Sequence, residues 1–166
     1  MTLPITPSQT IGPFSHEAWR WACAASESAA GTITINGVLR DGDGTPVNDG
    51  MIESWSPGAA AAEEGGALPG FRRAPTDDAG GFTLRLARPA PGEPAALVTV
   101  FARGLVLHQF TAVFLEDDEG LADSGILRQV PPNRRTTLIA RMTGAAGYAW
   151  EINLQGTQET VFFDYE

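Results

Sequence analysis

Few side chains in this chain have the type and spacing to do chemistry. Asp41-Gly42-Asp43-Gly44 sets two carboxylates two residues apart, as a calcium loop does. A full EF-hand loop also needs a glycine at its sixth place and a closing glutamate at its twelfth. Counted from Asp41, those places hold Pro46 and Ile52, so the run reads as a hairpin turn. Glu116, Asp117, Asp118 and Glu119 could gather a cation. Adjacent carboxylates repel one another and seek water, which makes a solvated loop tip the expectation. His16 and His108 are the only imidazoles, with no H-x-H or H-E-x-x-H spacing between or around them. His108 alternates with Val106 and Phe110, so the pattern predicts a buried, hydrogen-bonded histidine on one face of a strand. Cys23 has no local partner that would activate it as a nucleophile.

The cations are sharper. Arg103, ahead of Gly104, can meet the carboxylate of a ligand or partner, or it can be an ordinary exposed turn arginine. Arg134 and Arg135, after Pro131-Pro132, carry the same two readings.

The elements that would position these residues are strands. From Thr32 to Leu39 apolar and polar residues alternate, the period of a half-buried strand. Gly50 to Trp55 reads as a returning strand, and Asp77-Asp78-Ala79-Gly80-Gly81 as a turn into Phe82–Leu86. Leu97 to Ala102 and Leu105 to Leu115 flank Arg103-Gly104, a tight-hairpin candidate. Thr136 to Met142 and Tyr148 to Leu154 flank a second hairpin at Gly144 to Gly147. Pro57 to Gly70 is low in complexity and reads as a mobile loop, and Ala87 to Pro94, with its prolines, as another. About eight short strands with little helix argue for an antiparallel β-sandwich. Ahead of them, residues 1–31 form an extended Pro-rich arm and a short helix over His16 to Ala30, leaving 32–166 as the sandwich domain.

Composition narrows the partners. The 166 residues suit one domain. Eleven basic against twenty acidic residues give a net charge of −9, which argues against nucleic acid and against an anionic membrane surface. One cysteine excludes an internal disulfide and points to a reducing compartment. No apolar run approaches the ~20 residues of a membrane-crossing helix, and MTLPITPSQ lacks the basic start of a secretory signal. The expectation is an acidic cytoplasmic protein.

Several stretches together resemble one family. TPSQTIGPF at 6–14, DGDGTPVNDGMIESW at 41–55, FRRAPTDDAGGFTL at 71–84, VFARGLVLHQFTAVFLEDDE at 100–119, RRTTLIA at 134–140 and QGTQETVFFDYE at 155–166 look like the non-iron alpha chains of the intradiol ring-cleaving dioxygenases that act on protocatechuate. The resemblance covers most of the chain and rests on the combination of motifs. It implies a mixed β-sandwich of the intradiol dioxygenase type, paired with a homologous beta subunit. That partner would hold a non-haem Fe(III) through two tyrosines and two histidines, hard anionic phenolates suiting a hard cation. The substrate chelates the iron, and dioxygen cleaves the ring between its two hydroxylated carbons to give 3-carboxy-cis,cis-muconate, a step of the β-ketoadipate route.

Aligned on Phe101-Ala102-Arg103-Gly104, the places of the paired histidines fall at Ala95 and Leu97. The loops that should bring the two tyrosines, within Pro57 to Gly66 and Ala87 to Pro94, contain none, and Tyr148 and Tyr165 lie in other motifs. The resemblance therefore implies neither a metal site nor a catalytic residue in this chain. Carried over by motif, its substrate-binding residues are Thr10, Gly12 and Pro13 of the arm and Arg103, whose cation favours an aromatic carboxylate such as protocatechuate. Phe14 stands where the family usually has a tyrosine, so that hydroxyl is lost. Two rivals remain: a stand-alone β-sandwich binding module without activity, and a single-chain iron enzyme.

Overall fold

The structure, a computed structural model, describes Cys23 and residues 33–59 and 68–164. Among these residues eight strands form one continuous sheet: Ile33–Arg40 (β1), Met51–Trp55 (β2), Phe71–Pro75 (β3), Gly81–Leu86 (β4), Ala96–Phe101 (β5), Gln109–Leu115 (β6), Ile139–Gly144 (β7) and Gly147–Asn153 (β8). Their order across the sheet is β3-β2-β5-β6-β7-β8-β1-β4. The two edge strands, β3 and β4, are consecutive in the chain and separated only by residues 76–80. So short a connection brings opposite edges together, and the sheet curls into a sandwich that almost closes as a barrel. Its two halves, β3-β2-β5-β6 and β7-β8-β1-β4, are joined where β6 and β7 pair over Phe114↔Ile139 and Leu115↔Ala140.

The alternation in the sequence builds the core directly. Buried and exposed residues alternate along β1, β4, β5 and β8. Ile35, Leu39, Leu84, Leu86, Val98, Val100, Tyr148 and Ile152 meet between the two halves. Burying such a side chain stabilises by about 1.5–3 kcal/mol each. β6 differs, being buried from Thr111 to Leu115 without a break. Val113 and Leu115 face the central core, whereas Ala112 and Phe114 face a second cluster with Leu127, Val130 and Leu138. Short 3-10 turns at Leu127–Gln129 and Arg135–Leu138 supply that cover. The C-terminal segment adds to it, with the Phe163 N–H donating to the Phe110 carbonyl at 2.8 Å.

The turns close by side-chain chemistry. Asp41 Oδ1 accepts from the backbone N–H groups of Asp43 and Thr45, and Asp77 Oδ1 from those of Ala79 and Gly81. Gly80 sits at φ +72°, and a Cβ there would lie 2.7 Å from the Leu39 carbonyl, so the position requires glycine.

The β-sandwich is the expected one, with detail that differs from its pattern. Five of the seven ladders are antiparallel, while β1–β8 and β6–β7 are parallel, the mixed pairing that the resemblance implies. Phe71–Pro75 is a strand that alternation does not reveal, because Arg72 and Arg73 interrupt it. Arg103-Gly104 is not a two-residue hairpin. The connection runs from 102 to 108, and Val106 and His108 lie outside β6. Thr136 to Leu138 belongs to a 3-10 turn, so β7 begins only at Ile139. Of the helix expected over 16–30, only Cys23 is described; it is helical and buried, its Sγ 3.9 Å from Met51 Sδ. The rest of that helix, the extended arm and most of the loop from 57 to 70 lie outside the described residues.

Candidate functional site

Of the four residues expected to face substrate, Thr10, Gly12 and Pro13 lie outside the described residues, and Arg103 is described. Its position follows from strand pairing. β2 and β5 are antiparallel with Met51 opposite Phe101. Continuing the same register past the strand ends sets Gly50 opposite Ala102 and Asp49 opposite Arg103. The side chains meet there: Arg103 Nε lies 3.1 Å from Asp49 Oδ2. The pair is unequal, with the Asp49 side chain 5% exposed and that of Arg103 67% exposed. Arg103 is thus neither a bare turn arginine nor a buried one; it is a cation tethered at its inner nitrogen and open to solvent beyond it.

The segment after Arg103 turns at Gly104, where φ is +87° and the Leu105 N–H donates to the Ala102 carbonyl. It then presents Val106 and Leu107, which are 71% and 53% exposed. His108 is exposed and packs its ring against Phe101 at 5.5 Å and edge-on to Phe110 at 4.6 Å. The buried strand histidine expected from alternation is therefore corrected: the strand starts one residue later, and the imidazole covers two phenylalanines from outside.

The acidic run is also not a simple solvated tip. Asp117 Oδ2 accepts from Arg88 Nη2 at 2.7 Å, and its Oδ1 accepts from the Tyr148 hydroxyl at 2.9 Å. Arg88 Nη1 donates to the same Tyr148 oxygen at 2.9 Å. Asp118 accepts from the N–H groups of Gly92 and Gly120. Hydrogen bonding from Arg88 holds the Asp117 carboxyl below the usual carboxylate range. Burial, followed by the bond to Asp117, pushes the Tyr148 phenol above its usual value. Arg134 and Arg135 also have structural work, donating to the carbonyls of Glu159 and Val130.

Among the described residues, the positions singled out for iron ligands do not fit a ferric ion. That cation calls for converging anionic oxygen and imidazole donors. Ala95 is buried among apolar neighbours, and Leu97 packs on the outer face of β5. Tyr148 is kept as a neutral phenol with both Arg88 and Asp117 on its oxygen. His108 packs tilted against Phe101 and edge-on to Phe110 in another part of the sheet. Among the described residues no three His, Cys, Asp or Glu side chains come together as metal ligands. What this surface offers chemically is an accessible guanidinium beside exposed apolar side chains, a group that can meet an anion.

Sequence motifs point to Arg103 but not to Asp49. The signal that finds Asp49 is the strand register, which a turn-rich stretch such as Asn48-Asp49-Gly50 does not display. The Arg88–Tyr148–Asp117 cluster joins residues up to 60 positions apart and leaves no local mark.

No family model matches the chain. Curated relatives do. The protocatechuate 3,4-dioxygenase alpha chain of Pseudomonas putida is 33% identical, over 98% of this chain and 98% of its own length. The alpha chain of the same name from Burkholderia cepacia is 32% identical, again over 98% of each. Among solved structures, the dioxygenase domain of a Streptomyces dioxygenase–carbohydrate-binding fusion superposes with a TM-score of 0.60 at 15% identity, covering 79% of this chain and 86% of that one. A catechol 1,2-dioxygenase from Acinetobacter gives 0.54 at 16%, covering 77% and 53%. At those identities the superpositions speak for the fold.

Proposed function

This chain belongs to the family of protocatechuate 3,4-dioxygenase alpha chains, and on that premise we propose that it is the non-iron subunit of such an enzyme, working beside a homologous iron-bearing beta subunit. The reaction converts protocatechuate and dioxygen to 3-carboxy-cis,cis-muconate. The bond between the two hydroxylated ring carbons breaks, and both oxygen atoms of dioxygen enter the product. The ferric ion belongs to the partner, and the catalytic donors with it. This chain supplies part of the wall and the charge around the substrate: Thr10, Gly12 and Pro13 from the arm, and Arg103 for the ring carboxylate. Glycine permits close approach and proline presents a rigid apolar face. The reading places the protein in the cytoplasm, in aromatic catabolism through the β-ketoadipate route. The described residues contain no helix long and apolar enough to cross a membrane.

The end-to-end similarity to named alpha chains is the observation that carries this reading. The exposed apolar pair Val106 and Leu107, next to Arg103, supports it, since surface apolar side chains in a group mark contact with another protein.

The test is expression of the chain alone and together with an iron-bearing beta chain, followed by metal analysis and an assay of protocatechuate loss. The expected result is turnover and stoichiometric iron in the co-purified complex, and neither in the isolated chain. Iron with turnover in the isolated chain would overturn the division of labour. A chain that is stable alone and does not associate with the beta chain would favour the stand-alone binding module.

A further inference from the structure

We propose that Asp49 is a positioning residue for Arg103. It fixes the guanidinium through Nε so that the distal end of the fork is held ready for the substrate carboxylate. This rests on the reading of Arg103 as the group that meets that carboxylate.

Three observations carry it. First, the β2–β5 register places the two residues opposite one another, and the closest approach, 3.1 Å, is between Arg103 Nε and Asp49 Oδ2. Contact at Nε leaves the far end of a 67% exposed side chain to face outward. Second, Asp49 is buried at the strand end, and the next residue is pinned. The Gly50 N–H donates to Thr76 Oγ1 at 2.8 Å, and its carbonyl accepts from the Thr76 N–H at 3.0 Å. A Cβ on Gly50 would come within 2.6 Å of Leu39 Cδ2, so the backbone is packed from the core side as well. Asp49 therefore has a fixed base from which to aim its partner. Third, among the described residues Asp49 is the one charged partner that Arg103 has. An exposed arginine samples many rotamers, and holding one before binding lowers the entropy lost when a carboxylate arrives.

A carboxylate beside an arginine could instead act only by cancelling its charge. The two roles predict opposite signs. As a positioning group, Asp49 helps substrate bind, and its loss raises KM. As a neutralising group it weakens the attraction, and its loss lowers KM.

The experiment uses the complex co-expressed with the beta chain, and compares Asp49→Asn, Arg103→Ala and the double variant on protocatechuate and on catechol, which lacks the carboxylate. The quantity read is the ratio of kcat/KM for protocatechuate to that for catechol. Asp49→Asn is expected to lower that ratio about two- to fivefold, mainly through KM for protocatechuate, the scale of one partly exposed ion pair. In that ratio the double variant should match Arg103→Ala, because the proposal has Asp49 bear on the substrate carboxylate through Arg103. A ratio that moves in Arg103→Ala but stays put or rises in Asp49→Asn overturns the proposal and leaves the reading of Arg103 standing. A ratio that does not move in Arg103→Ala removes that reading itself. Should Asp49→Asn fail to assemble, Arg103→Lys decides: a lysine has one ammonium and cannot hold Asp49 and the ligand as a fork does, so the ratio should fall there too. A ratio kept at the original value by lysine would overturn the proposal.

Discussion

A phenol buried at the start of β8 has to find partners for its hydroxyl, and Tyr148 finds two charged ones. Replacing it with phenylalanine removes both bonds but leaves the Arg88–Asp117 pair at 2.7 Å to satisfy itself. Tyr148→Phe should therefore cost about 1–2 kcal/mol, read by urea unfolding of the isolated chain. The pH dependence has two limbs. Asp117 titrates below its usual range when folded, so its contribution is complete above about pH 4 and is lost as pH falls through the folded value. Tyr148 titrates above its usual range, so its contribution is complete below about pH 10 and is lost as pH rises through the folded value. The stability gap between the original chain and Tyr148→Phe should accordingly narrow above about pH 10. A gap that stays constant there would mean the phenol is not protected. In the sequence Asp117 stands in a row of four acids that look alike, and only the fold separates it from its neighbours. Arg103 is legible because F-A-R-G is a motif; Asp49 is not, because its partner is 54 positions away.

Cross-strand packing explains a weakness in β1 that alternation alone would count as an error. Gly37 sits inside the strand, opposite Phe82 of β4. A Cβ on Gly37 would fall 2.2 Å from the Phe82 ring, so the aromatic ring covers the glycine and fills the place of its side chain. The ring also meets Trp150 edge-on at 6.4 Å, which limits its room to shift. Gly37→Ala is expected to destabilise the protein by about 1–3 kcal/mol, since overpacking forces the ring out of its place. Gly37→Ala together with Phe82→Leu should recover part of that loss in the same unfolding assay. No recovery would assign the cost to the backbone instead. Strands such as β1, β4 and β8 are legible because one face meets water and the other the core. β3 is not, since Arg72 is buried among core-facing positions and breaks the apolar pattern. The 102–108 connection is not either. Leu105, Val106 and Leu107 continue the apolar run of the strands, but only Leu105 packs on the central core, while Val106 and Leu107 face solvent.

The curl of the whole sheet follows from chain connectivity more than from any local signal. Period two is visible in the residues of most strands, but the parallel pairing of β1 with β8 joins the first and last of them and has no sequence mark. One central core then draws on both halves of the sheet, with buried residues from all eight strands. We propose the division at residue 31 on this ground, with 32–166 as the folding unit and 1–31 as the segment that serves the partner and substrate. Cys23 sets a limit to that division, because it is buried and its Sγ contacts Met51 Sδ at 3.9 Å. A chain lacking residues 1–22 keeps this contact and every described strand. If the arm serves only partner and substrate, the unfolding free energy of this shortened chain should stay within about 1 kcal/mol of the full chain. The same truncated chain, co-expressed with the beta subunit, should lose most protocatechuate turnover, since Thr10, Gly12 and Pro13 are removed with the arm. A large loss of stability would make the arm part of the core, and full turnover would strike those three residues from the substrate-facing set while leaving Arg103 in it.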